Sequence, residues 1–460
     1  MRPALRPGDR LSIICADLDD EGAGVGEAQG VHVHVAGALP GERVAAVVEH
    51  VSRQALAAWA KLDLVEVPSP ARRSPACRAF GLCGGCLLQH LDGNAQLVWK
   101  QARVARALGA RPELAEVRVE ACVASPHPLG YRNKSKLVAA RAGGRLVLGG
   151  YAPRSHDVVD LAGCRIAEPP LDETAAASRA ILDQAGVRPY DEATLTGELR
   201  HVVLRANHAA EVLAVLIVAR PLPDAEALGR RLREARPEIV GVVEHLNRGR
   251  GNVLFSDAGD NERSLDGAGA IEDRLDVGGR AVRVTLSPGA FFQANRGVAA
   301  LAYAAIGRAL SVRSTDRVVD AYCGVGGIAL ALAPDAAEVV GVESHEGAVA
   351  SAAASAARNG ITNARFVAAD ASAALAKLDR ADLVVLNPPR KGCAPAVLDE
   401  VVRLAPRAIA YLSCDPDTLA RDLALLAARG YRGDAVTPFD MLPHTPHVEA
   451  LAILWRSAPA

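Results

Sequence analysis

From about residue 276 the chain alternates short apolar runs with longer Ala-rich stretches, and this alternation predicts a doubly wound α/β domain. Strands are expected at 318–321, 339–342, 365–367, 383–386, 408–412 and 450–454, with helices between them such as 346–358 and 419–429. Strand–helix alternation of this kind implies a largely parallel sheet. The opening of the chain has a different period. Val31-His32-Val33-His34-Val35 alternates strictly, and the runs 11–14 and 43–48 flank it with turns at Asp19-Asp20-Glu21-Gly22-Ala23-Gly24 and Ala38-Leu39-Pro40-Gly41-Glu42. Short strands at that spacing predict a small β-barrel of a type that often carries single-stranded nucleic acid. His32, His34 and His50 then read as strand-face residues and not ligands. Residues 94–110 predict an amphipathic helix with Leu97, Val98, Val104 and Leu108 on its apolar face and Lys100, Arg103 and Arg106 more exposed. Between about 117 and 275 the pattern is mixed, with 201–205 and 212–218 reading as neighbouring strands.

Punctuation at Pro68-Ser69-Pro70 and the change of pattern near 276 divide the chain into 1–68, a β-barrel; 69–275, a mixed β-containing domain; and 276–460, the α/β domain. The helix at 94–110 is a candidate to pack on the last of these. A length of 460 residues agrees with several cores and not one. No run is long and apolar enough for a bilayer span, and Met1-Arg2-Pro3 does not begin a signal segment, so a soluble cytoplasmic protein is expected. Nothing in the pattern demands a partner chain.

Net charge is -1, but its distribution is uneven: residues 70–165 carry 15 Lys/Arg against 6 Asp/Glu, and residues 1–69 carry 6 against 10. The basic stretch is a candidate phosphate-facing surface, or the solvated face of an ordinary domain. Nine cysteines in such a chain point to metal or catalysis before disulfides. Cys77, Cys83 and Cys86 are clustered around Gly84-Gly85, where the missing Cβ atoms let a loop fold round an ion. Cys164 is the best candidate for a fourth ligand. An all-thiolate set suits an iron–sulfur cluster or zinc.

Three strand ends in the last third carry distinct chemistry. The first runs into Asp320-Ala321-Tyr322-Cys323-Gly324-Val325-Gly326-Gly327, a Gly-rich turn that lets backbone approach a ligand. Such a turn serves NAD, FAD and S-adenosylmethionine alike. Glu343, 23 residues past Asp320, can accept from ribose hydroxyls, and Asp370 is placed for an adenine edge. The second end, Asn387-Pro388-Pro389-Arg390, is a methyltransferase-like turn suited to a planar base beside a methyl group. The third presents Cys414 in Ser413-Cys414-Asp415-Pro416. Most free cysteines are packed and inert, but the carboxyl end of such a strand is where open α/β sheets bind ligands. Methylating C5 of uracil needs a thiolate at C6 and a base for the C5 proton. Cys414 and Glu449, just before the last strand, are the minimal pair.

These stretches, with Leu286-Ser287-Pro288-Gly289-Ala290-Phe291-Phe292-Gln293-Ala294-Asn295 and Thr418-Leu419-Ala420-Arg421-Asp422, resemble the RNA uracil-5 methyltransferase family in order and spacing. The likeness spans nearly the whole chain. It implies a Rossmann-like class I methyltransferase domain behind an N-terminal TRAM (OB-like) β-barrel and a central mixed, β-containing iron–sulfur domain. It implies Cys414 as nucleophile and Glu449 as base. S-adenosylmethionine contacts would come from Gln293, Tyr322, Gly327, Glu343, Asp370 and Asn387. Cys77, Cys83, Cys86 and Cys164 resemble the 4Fe–4S ligands of the branch acting on 23S ribosomal RNA, with transfer RNA as the second candidate substrate. The family usually has Asp where this chain has Asn387, which keeps an acceptor oxygen but loses the charge and adds a donor. That amide leaves open an N-methyltransferase acting on a base amino group, which would give Cys414 and Glu449 no task. A non-catalytic iron–sulfur RNA-binding protein is the third reading, opposed by the complete cofactor set.

Overall fold

In the computed structural model the described residues are 5–52, 54–249, 251, 253–255 and 261–457. Strands Arg10–Leu18, Gly24–Ala28, Val31–Ala36, Arg43–Val51 and Ala57–Val67 close into a five-stranded barrel. The strict alternation at 31–36 sends Val31, Val33 and Val35 into a core shared with Ile13, Val44, Ala46 and Val48, while His32 faces out. Gly26 is needed where strands cross closely, since a Cβ there would lie 2.5 Å from the Ile14 carbonyl oxygen. His34 keeps to the strand face, bonded through Nδ1 to Asp19 at 2.7 Å and stacked on Trp59.

The middle of the chain builds a seven-stranded sheet around the antiparallel pair Leu199–Ala206 and Val212–Val218. One face is covered by helices Pro169–Gln184 and Ala225–Ala235. From the other face Val203, Leu213, Val215, Ile217 and Val243 join the same apolar cluster as Leu286, Phe292, Val298 and Ile306. The central sheet and the C-terminal half therefore share a core. The hairpin Ile271–Val277 and Arg280–Leu286 crosses position 276 and packs on helices Arg296–Leu310 and Glu346–Arg358.

The C-terminal sheet runs in the order Ala364–Ala368, Glu338–Glu343, Arg317–Ala321, Leu383–Leu386, Ala408–Ser413, Glu449–Arg456, Ala435–Phe439, Arg118–Val119, with Tyr431–Arg432 paired beside the sixth. The first five are parallel, whereas Glu449–Arg456 and Ala435–Phe439 add antiparallel pairs. Separate apolar clusters cover the two faces. The order reverses between Arg317–Ala321 and Leu383–Leu386, and the crevice at that switch point is where such sheets bind ligands.

The helix expected at 94–110 spans Gly93–Gly109, and its buried face differs from the apolar stripe. Val98 is exposed, whereas Lys100 is fully buried and Arg103 nearly so. The reason is charge pairing across the fold: Lys100 Nζ meets the Asp440 carboxylate and the Leu442 carbonyl, and Arg103 meets Asp20 and Asp417. This helix thus fastens the barrel turn to the C-terminal sheet, against whose helix Pro416–Ala427 it lies.

Candidate active site

Strand Ala408–Ser413 is wholly buried, and its last residue pairs with Ala450 in an antiparallel register. One step further along that register sets Cys414 opposite Glu449. Asp415 and Pro416 then turn the chain into a helix, with the Asp415 carboxylate capping Thr418 N at 2.9 Å. Glu449 is 5% exposed, and burial alone pushes its carboxyl up to about 7. The thiol of Cys414 is pushed up to about 11 by burial and then by the Glu449 charge, while Arg390 draws it down. Arg390 also lies against the His447 ring at 3.4 Å. The pair expected from the sequence is thus brought together in one half-dry crevice.

The turn at 387–393 closes the other side. Thr418 donates to the Arg390 carbonyl at 3.0 Å, and Arg421 donates to the carbonyls of Lys391 and Cys393. Asp422, fully buried, accepts from Cys393 N at 2.8 Å and from the Tyr411 hydroxyl. Gly392 has φ 72° and no room for a Cβ, which would lie 2.5 Å from Arg421 Nη2. Thr418, Arg421 and Asp422 have clear structural tasks that the sequence reading left unassigned. Their spacing of three and four residues, one face of a helix behind Cys414, was the available signal.

At the switch point Tyr322, Gly324 and Gly326 all have positive φ, so the turn exposes backbone toward the crevice. Asp320 lies fully buried beneath it; one oxygen accepts from Ala329 N and the other has no partner, and burial pushes its carboxyl up to about 7. Glu343 accepts from Gly324 N at 3.2 Å and from Ser344 and His345 N. Gly327 opens the helix Gly327–Leu332 against the Tyr303 ring. Asp370 is exposed and caps Ala371–Leu375, its carboxyl held below the usual range by Ser372 and Ala373. Asn387 is half-buried. Gln293 is buried on the loop after Leu286, whose backbone is fixed by Asn133 bonding to the Gln293 carbonyl at 2.9 Å. Phe291 on the same loop is 69% exposed, a feature the sequence did not single out.

Cys77, Cys83, Cys86 and Cys164 lie apart from this crevice, lining one cavity of about 640 Å³ with Arg132, Tyr151 and Ile166. Among the described residues no group of three or more His, Cys, Asp or Glu side chains is arranged to hold a metal ion. All nine cysteines are free. No helix among the described residues is long and apolar enough to cross a membrane.

The profile of the tRNA (uracil-5-)-methyltransferase family matches residues 259–457. An uncharacterized RNA methyltransferase of Geobacter sulfurreducens is 39% identical over 99% of this chain and 92% of its own length. One from Gloeobacter violaceus is 37% identical over 99% and 98%. The crystal structure of Pyrococcus abyssi tRNA (uracil-54, C5)-methyltransferase with S-adenosyl-L-homocysteine is 27% identical, with a TM-score of 0.76 over 96% of this chain and 100% of that one.

Proposed function

The chain belongs to the RNA uracil-C5 methyltransferase family and is an S-adenosylmethionine-dependent enzyme, and from that premise we propose that it methylates C5 of a specific uridine in 23S ribosomal RNA. The observation that carries the mechanism is the antiparallel register Ser413 to Ala450, which sets Cys414 opposite Glu449. Cys414 Sγ adds to C6 of the flipped uracil, making C5 nucleophilic. When bound, S-adenosylmethionine would supply the methyl group that C5 takes, its S–CH3 bond breaking to leave S-adenosylhomocysteine. The Glu449 carboxylate then removes the C5 proton, the C5–C6 double bond re-forms, and the C6–S bond breaks to free the thiolate. Arg390, beside the thiol, favours its ionised form.

The cofactor fits the switch-point crevice: the left-handed turn at 322–326 offers backbone, and Glu343 and Asp370 offer carboxylates. Gln293, Tyr322, Gly327 and Asn387 complete the proposed contact set. Asn387 retains an acceptor there, so the base stays oriented without the family's charge.

We assign the four-cysteine cavity to a 4Fe–4S cluster held by Cys77, Cys83, Cys86 and Cys164. Cys83 Sγ accepts from Gly85 N at 3.3 Å, and the Cys86 thiol is pushed up to about 12 by burial and by the other three cysteines. The four thiols line one cavity without being drawn together as a ligand set, and a bound cation would let them close in and ionise together. The cluster would tie 77–86 to 162–166 and has no part in methyl transfer; metal analysis separates iron from zinc. Residues 1–68 are proposed as a TRAM barrel and 69–275 as the RNA-docking region.

The test is mass spectrometry of ribosomal and transfer RNA from a strain lacking the gene, complemented with wild type or Cys414→Ala. We expect 5-methyluridine to vanish at one 23S site and to return only with wild type. Loss from transfer RNA would move the substrate, and restoration by Cys414→Ala would end the covalent mechanism.

A further inference from the structure

We propose that Lys134, Lys136 and Arg205 form a seat for one phosphate of the bound RNA backbone, on the face of the central sheet turned toward the loop that carries Gln293. The inference rests on the RNA substrate proposed above and names a place where that substrate is held. Register pairs Arg205 with Lys134 and Val203 with Lys136, so all three cations share the sheet face on which Val203 joins the core of the C-terminal half. Lys134 Nζ and Arg205 Nη2 both reach the Ala290 carbonyl, three residues from Gln293. Lys134 also lies 5.6 Å from the centre of the Phe255 ring.

What marks this as a binding site is missing negative charge. Arg205 is 2% exposed, yet its Nη1 has no hydrogen-bond partner. Among the described residues no carboxylate forms an ion pair with any of the three cations. Asp273, whose charge reaches Arg205, is already engaged by Arg296 and by the backbone of His208 and Arg274. A buried cation without a counter-ion is unfavourable, and these repel one another as well. Lys134 is pushed down to about 6 by burial, then by Arg205 and Lys136. Lys136 is lowered by partial burial at its inner end, then by Arg132 and Arg205. Lys136 is exposed, Lys134 half-buried and Arg205 buried, so exposure rises across the row from Arg205 to Lys136. A phosphodiester is the anion such a row fits, because it brings a full charge and two acceptor oxygens to several donors at once.

Two signatures follow. Neutralising a phosphate releases counter-ions, so each lost contact flattens the dependence of log affinity on log salt by about one. Lys134, faced by Arg205 from the adjacent strand, Lys136 from its own, and the Phe255 ring and Ala290 carbonyl from the loops, regains its proton when phosphate arrives. RNA binding at pH 8 then takes up a proton.

The experiment uses the full-length protein and unmodified transcripts of 23S ribosomal RNA and of transfer RNA. Affinity is measured over a salt series, proton uptake by calorimetry in two buffers of different ionisation heat, and methyl transfer from labelled S-adenosylmethionine. Lys134→Gln should abolish the uptake. Lys134→Gln/Lys136→Gln should weaken RNA binding at least tenfold and flatten the salt slope, with S-adenosylhomocysteine still bound. Lys136→Gln alone, at an exposed position, carries the salt test if the double variant does not fold. Unchanged slope and uptake, or weaker binding at unchanged slope, would overturn the seat while wild-type methylation upholds the enzyme. Wild type that neither binds nor methylates either transcript would bring down the RNA reading, and the seat with it.

Discussion

Glu449, the base we propose, bears on stability as well as on chemistry. A carboxyl raised from 4.5 to about 7 by burial stabilises the fold fully only below 4.5, and that contribution is lost as pH rises through about 7. Glu449→Gln has no such charge to bury. It should be more stable than wild type at pH 8 by roughly 3 kcal/mol, with the difference vanishing near pH 4, as read by urea unfolding at each pH. The same substitution removes the proposed base, so turnover should fall about 10²–10⁴-fold and a protein–RNA adduct should persist in denaturing gels. In wild type, resolution of the adduct should accelerate as pH rises through about 7, because only the carboxylate can take the C5 proton. A flat pH profile together with wild-type stability for Glu449→Gln would place the base elsewhere. Cys414 and Glu449 could be singled out from sequence because each sits at the mouth of an apolar run. Their facing one another could not, since it depends on the pairing of Ser413 with Ala450.

At the scale of elements, the helix Pro416–Ala427 does more than follow the nucleophile. Through Thr418, Arg421 and Asp422 it holds the turn at 387–393, so hydrogen bonds tie the two walls of the crevice together. The Tyr411 hydroxyl, buried within the nucleophile strand, donates to the same Asp422 carboxylate. Tyr411→Phe should lower unfolding free energy by about 2 kcal/mol, the scale of a hydrogen bond to a charged group, as read by urea titration. A change within experimental error would mean that Asp422 is already satisfied by Cys393 N and Arg421. The sequence pattern found this helix but started it at 419, because Pro416 at its first turn reads as a loop signal although proline is at home there. Helix 346–358 was legible to the residue, being uniformly Ala-rich and ended by Asn359-Gly360. On the helix Gly93–Gly109 periodicity placed Val104, Leu108 and Arg106 correctly but misplaced Val98, Lys100 and Arg103, because Lys100 and Arg103 are buried by partners far away in sequence.

Across the whole molecule the barrel has a core of its own, while the central sheet and the C-terminal half share one. Strand Arg118–Val119 also completes the C-terminal sheet from a distance of some three hundred residues in the chain. A fragment 69–460 should therefore still bind S-adenosylhomocysteine, with lowered stability because Leu88, Leu91 and Trp99 lose Leu18 and Leu39. A fragment 276–460 should lack a cooperative transition, since it loses Val203, Leu213, Ile217, Ile271 and Leu275 from its core. Near-ultraviolet circular dichroism and calorimetry with S-adenosylhomocysteine check both. A well-folded, ligand-binding 276–460 would show the shared core to be dispensable.

The sequence by itself determined the kinds of element, the Gly-rich and Asn-Pro-Pro turns, the cysteine spacing and the candidates for chemistry, because each is written in local periodicity and residue type. It also determined the family, whose motifs are spread along the chain in a fixed order. The tertiary structure decided which residues meet. Antiparallel addition of Glu449–Arg456 beside Ala408–Ser413 set Glu449 against Cys414. Burial, which no window of sequence measures, raised the carboxyls of Glu449 and Asp320 and left Arg205 Nη1 without a hydrogen-bond partner among the described residues. Those are properties of pairing and solvent exclusion, and they exist only once distant segments have packed together.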